Sequence, residues 1–140
     1  MHDLDRAKEL LHTGAYTCVL CKGSAVYTST LRGVAPMLAY LTNEIDLSGF
    51  SAADKVVGKA AAMLFVLAGV KEVYAGVMSR PAAEVLQKYG IKAACGTMAS
   101  AIINRTGTGL CPMEQAVKAI EDPQEAFVAI RQKREELKNK

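Results

Sequence analysis

Lys55 and Lys59 stand four residues apart, with Asp54 just before the first and Gly58 just before the second. In a helix that spacing puts two side chains on one face. Ser51-Ala52-Ala53-Asp54 has the form of a capping box, which predicts a helix over 52–68 with both lysines near its N-terminus. Two cations there repel each other and oppose the helix dipole, a conflict that a bound anion relieves. Gly58 costs such a helix up to about 1 kcal/mol against alanine, which close approach of a ligand to the backbone would explain. These residues also have plainer uses. Lysines reach solvent from a buried helix, Gly58 can admit a neighbouring strand, and Asp54 can be the capping acid alone.

A second group lies in Arg105-Thr106-Gly107-Thr108-Gly109-Leu110-Cys111-Pro112-Met113-Glu114. A glycine-containing loop runs into a helix that Pro112 starts. Backbone N–H groups around Gly107 and Gly109 would form an anion nest, and Arg105 would grip a phosphate or carboxylate through two hydrogen bonds. Helix N-termini favour thiolate, so Cys111 is the candidate nucleophile. The plainer uses are a turn for the glycines, a cap for Glu114 and burial for Cys111. The loop matches no P-loop or dinucleotide fingerprint. Ser79 precedes Arg80-Pro81 at a strand end, where open α/β sheets bind ligands, or is simply a helix cap.

Cys18-Val19-Leu20-Cys21 has C-x-x-C spacing, but on a strand residues three apart point to opposite faces. Two small buried residues are the expected use. Cys95 and Cys111 complete no second pair, and all four thiols are expected to be free.

The elements that must position these groups follow from periodicity. Leu4, Ala7, Leu10 and Leu11 predict a helix over 3–12, which Gly14 stops. Strands are expected at 15–21 and 25–29 around Lys22-Gly23-Ser24. Pro36 starts a short helix after the break at Gly33. The helix at 52–68 is apolar nearly all round and ends at Gly69, which marks it as buried. A strand at 72–78, a helix from Ser79-Arg80-Pro81 to Tyr89-Gly90 and a strand at 91–95 form a βαβ unit with parallel strands. A further strand at 98–104, a helix from Pro112 to about Ile120 and a last helix from Asp122-Pro123 complete the chain.

The 140 residues are 51% hydrophobic and 22% charged, as expected of a globular protein with a sizeable core. One domain, 1–140, is expected. The formal charge of +3 is local. Residues 131–140 carry five Lys/Arg and two Glu, leaving twelve of each sign in the rest. So narrow a basic footprint argues against a nucleic-acid partner. The longest apolar run, Ala60 to Val70, is too short to span a bilayer, and from the acidic stretch Met1-His2-Asp3-Leu4-Asp5 no signal peptide is expected. A cytoplasmic protein and, by default, a homodimer are expected.

Three stretches carry a resemblance. Ala53-Asp54-Lys55-Val56-Val57-Gly58-Lys59-Ala60-Ala61-Ala62, Lys71-Glu72-Val73-Tyr74-Ala75 and Asn104 through Glu114 resemble DUF1893, an uncharacterised prokaryotic family within the cytidine-deaminase-like superfamily. The likeness runs from about Leu10 to Ile130. It implies a three-layer α/β/α fold with a mixed central sheet and a C-terminal helical extension, but no activity. A zinc deaminase needs H-x-E and then P-C-x-x-C. In the superfamily these open the central helix and the helix after the third strand. Here those places read Ala53-Asp54-Lys55 and Pro81-Ala82-Ala83-Glu84-Val85, and the only histidines are His2 and His12. No deaminase-type zinc site is expected, and no cofactor.

Three readings follow. The first is a protein that binds a small anionic, nucleotide-like molecule through Asp54, Lys55, Lys59, Ser79, Arg105, Gly107, Gly109 and Glu114. The second is a metal-free thiol enzyme or sulfur carrier using Cys111, which lacks an obvious base. The third is a non-catalytic protein whose charged C-terminal helix docks a partner or a second copy.

Overall fold

The computed structural model describes residues 2–104 and 106–138. Its order is α1 (Asp3–Thr13), β1 (Cys18–Lys22), β2 (Ala25–Ser29), α2 (Ala35–Thr42), β3 (Ser51–Val57), α3 (Lys59–Ala68), β4 (Glu72–Ser79), α4 (Arg80–Lys88), β5 (Lys92–Ala99), α5 (Pro112–Val117) and α6 (Pro123–Lys138). The five strands form one mixed sheet, ordered β2-β1-β3-β4-β5. β1 runs antiparallel to β2 and β3, whereas β3, β4 and β5 are parallel. The βαβ unit over β4, α4 and β5 is as the periodicity requires.

Helices cover both sides of the sheet. Ala7 and Leu11 of α1 pack on Val19, Cys21 and Ala53. The larger core, on the other side, joins Cys18, Leu20 and Ala52 to the buried faces of α2, α3 and α4. Consecutive strand residues thus enter different cores, and Cys18 and Cys21 are buried on opposite faces, as their spacing on a strand implies. α3 is buried from Ala60 to Phe65 and ends at Gly69, whose φ of +78° is the left-handed conformation glycine adopts most easily. α6 buries Ala126 and Ile130 completely, so its first half belongs to the core. Among the described residues no helix is long and apolar enough to cross a membrane.

The expected helix over 52–68 is corrected. Its first third is the central strand β3, and α3 begins only at Lys59 with Gly58 as N-cap. Helix propensity favours Ala52 and Ala53, but tertiary packing overrides it. β3 lies between β1 and β4 with helices on both faces, a place where small residues fit. Ser51 is no cap, for its hydroxyl donates to buried Glu72 at 2.6 Å.

The expected strands at 91–95 and 98–104 are also corrected. Lys92–Ala99 is one strand, and among the described residues beyond it Ile103 makes a single bridge to Leu110. A Cβ on Gly96 would lie 3.0 Å from the Gly76 carbonyl oxygen, so the glycine permits tight pairing inside the sheet.

Candidate functional site

Where β3 hands over to α3 the chain borders a cavity of about 540 Å3. β3 supplies Asp54, Lys55 and Val56, and α3 supplies Ala61. The segment after β2 supplies Thr30, Arg32, Gly33 and Val34, while Ile102, Cys111, Met113 and Glu114 close the far side. Thr17 lines it too, and its single hydroxyl hydrogen has the carbonyls of Ser29 and Leu31 as alternative acceptors. The walls are thus largely apolar, with a few convergent polar groups, the composition usual for a small-molecule site.

Asp54 is the most perturbed of those polar groups. It is only 6% exposed and sits opposite Cys18 in the register of β1 and β3. Burial pushes its carboxyl up to about 7, against the pull of the Val56 and Lys55 N–H groups and the Cys18 thiol. Burial, and then neighbouring Asp54, raise the Cys18 thiol well above its ordinary value. A carboxyl held near neutrality in a cavity can donate or accept a proton, the property expected of an acid–base group or a ring-reading contact.

The N-terminus of α3 already holds an anion from within the chain. Glu114 Oε1 accepts from Lys59 N–H at 2.7 Å, and Oε2 accepts from Ala60 N–H at 2.9 Å. A Cβ on Gly58 would overlap this carboxylate. The close approach that Gly58 permits is therefore that of Glu114, which ties α5 to α3.

Asp54, Lys55, Glu114 and Cys111 therefore come together as the sequence suggested, although Asp54 and Lys55 lie on a strand. Lys59 does not share a helix face with Lys55. Its Nζ donates to the Lys118 carbonyl at 3.0 Å, and it lines a separate hollow of about 170 Å3 beside Pro81. Ser79 is fully buried and caps α4, accepting from Ala82 N–H at 3.2 Å. Gly107 and Gly109 do not line the cavity. The N–H groups of Gly107 and Thr108 donate to the carbonyl and side chain of Asn104, so these two are engaged within the loop itself. Arg105 lies outside the described residues.

Sequence reasoning missed Thr17, Thr30 and Arg32. The one local signal was the break at Gly33, whose φ of +59° turns the chain over the cavity. Among the described residues no group of three or more His, Cys, Asp or Glu is placed to hold a metal ion.

Fold and site together define an α/β protein with a cavity at the β3–α3 junction. Residues 6–134 match the TM1506 family, a domain of unknown function (DUF1893), and the chain belongs to that family. The crystal structure of a DUF1893 family protein from Thermotoga maritima superimposes with a TM-score of 0.84 at 26% identity, covering 94% of this chain and 89% of that one. A dCMP deaminase from the cyanophage S-TIM5 aligns with a TM-score of 0.45 at 13% identity, over 66% of this chain and 93% of that one. A diaminohydroxyphosphoribosylaminopyrimidine deaminase/5-amino-6-(5-phosphoribosylamino)uracil reductase from Thermotoga maritima gives 0.42 at 18% identity, over 67% and 35%. No curated protein matches the sequence.

Proposed function

We propose that this chain binds a small anionic, nucleotide-like molecule in the cavity at the β3–α3 junction. The observation that carries the reading is the placement of Asp54, a buried carboxyl group lining a cavity of about 540 Å3. That volume suits a nucleoside-sized molecule. Val34, Val56, Ala61, Ile102 and Met113 offer apolar walls for a flat ring. Protonated Asp54 would donate and accept hydrogen bonds along a nitrogen-containing ring edge. Lys55 and Arg32, both exposed at the cavity, would balance the anionic part. Lys59 and Ser79 have no part in this version of the site, and Glu114 acts as scaffold.

The test is thermal stabilisation by a panel of ribonucleosides and their 5′-monophosphates. Val56→Trp blocks the cavity from a half-exposed position and spares the core. Stabilisation of the wild type that is lost in Val56→Trp and reduced in Asp54→Asn and Lys55→Ala supports the reading. Equal stabilisation in all four proteins contradicts it.

A second reading, a metal-free thiol enzyme, draws support from one observation. Half-buried Cys111 lines the same cavity as Asp54, which supplies the acid–base partner that no histidine offered. Iodoacetamide labelling of Cys111 that slows in Asp54→Asn would support this reading. An unchanged rate would remove it.

A further inference from the structure

The cavity does not end at Arg32. A second cavity of about 520 Å3 adjoins it and shares Arg32, Gly33, Val34, Cys111 and Met113 with it. At the outer end the second cavity is lined by Arg134, on the C-terminal helix α6. Its lining holds two arginines and no carboxylate, whereas the first cavity holds both Asp54 and Glu114. Among the described residues neither Arg32 nor Arg134 forms an ion pair, although other charges of α6 pair with one another along the helix. The joined groove thus holds Asp54, Glu114, Lys55 and Arg32 in its first part and, in the second, Arg32 and Arg134 with no carboxylate among the described lining residues.

We propose that the two cavities form one elongated site, in which Arg32 and Arg134 grip a phosphate ester at the far end of the ligand. The proposal rests on the nucleotide-like reading of the inner cavity and adds where the charge goes and which element holds it. Arginine suits that task, because its planar fork meets two phosphate oxygens at once. It also gives the basic C-terminal helix a use beyond packing. The first half of α6 anchors the helix through Ala126 and Ile130, and the next turn brings half-buried Arg134 to the groove. Neither Asp54 nor Glu114 lines the second cavity, so a phosphate there meets no carboxylate of its described lining.

The experiment is calorimetric titration of the full chain with adenosine, guanosine, cytidine and uridine and with each 5′-monophosphate. Arg134→Ala, Arg32→Ala and Arg134→Lys are titrated beside the wild type. The expected result is a monophosphate that binds about tenfold or more tightly than its nucleoside. Arg134→Ala removes most of that preference and leaves nucleoside affinity unchanged, which a merely structural loss would not do, and Arg32→Ala also lowers the preference. Arg134→Lys recovers part of it. A nucleoside and its monophosphate that bind the wild type alike overturn the phosphate subsite and leave the inner-cavity reading standing. A phosphate preference untouched in both alanine variants does the same. Failure of the wild type to bind any of the eight compounds overturns both.

Discussion

The carboxylate of Glu114 rests against the bare Cα of Gly58 and takes the N–H groups of Lys59 and Ala60 at 2.7 and 2.9 Å. One short helix thereby caps another far from it in sequence. The pair also forms part of the cavity wall. An acid at this place satisfies two N–H groups that α3 leaves unpaired and complements its dipole.

Gly58→Ala is expected to cost about 1–3 kcal/mol, because the new methyl displaces Glu114 and strands its hydrogen bonds. Gly58 has φ −99°, open to any residue, so the contact rather than the backbone carries the cost. In a Glu114→Ala background the same substitution should be close to neutral. Chemical denaturation of the double-mutant cycle reads the coupling. Strictly additive losses would contradict the contact.

Asp54 should leave a signature in the pH dependence of stability. Its carboxyl moves from an ordinary 3.8 to about 7 on folding, mainly through burial. Between those values the folded chain holds a proton that the unfolded chain has released. The stabilisation is complete below about pH 3.8 and is lost as the pH rises through about 7. Asp54→Asn cannot ionise, so its urea midpoint should gain on that of the wild type between about pH 4 and pH 7. Parallel midpoints would contradict a raised Asp54.

The thiols should divide into two classes. Cys18 and Cys21 are fully buried, while Cys95 and Cys111 are half-buried. A disulfide reagent should reach two thiols in the native protein and four after denaturation. Fast reaction at Cys18, whose thiol burial holds well above its ordinary value, would contradict the packing of β1.

Lys55 and Lys59 should separate in function although four residues apart. Lys55 lines the large cavity, whereas Lys59 is engaged with the Lys118 carbonyl. Lys55→Ala should reduce ligand-induced thermal stabilisation, and Lys59→Ala should leave it unchanged. Equal losses would restore the arrangement in which both lysines face one anion.

Much of the layered order was legible because periodicity and punctuation agree there. Leu4, Ala7 and Leu11 mark α1, Gly69 marks the end of α3, and Ser79-Arg80-Pro81 marks the start of α4. β3 was not legible. Ser51-Ala52-Ala53-Asp54 carries local helix preferences, and only its place between β1 and β4 makes it a strand. That single misreading placed Lys55 on a helix face with Lys59 and assigned to a ligand the space that Glu114 fills at Gly58. The site was half legible. Asp54, Lys55, Cys111 and Glu114 stood out by type, and the fold joins them. Thr17, Arg32 and Arg134 reach the cavities from distant segments with no local pattern to announce them.

The most direct test of the ligand reading is a 1H–15N NMR titration of the labelled full chain with the 5′-monophosphate that stabilises it most. Saturable shifts should cluster at Thr17, Thr30–Val34, Asp54–Gly58 and Cys111–Glu114. The absence of saturable shifts for every nucleotide, or shifts confined to residues outside the two joined cavities, would contradict it.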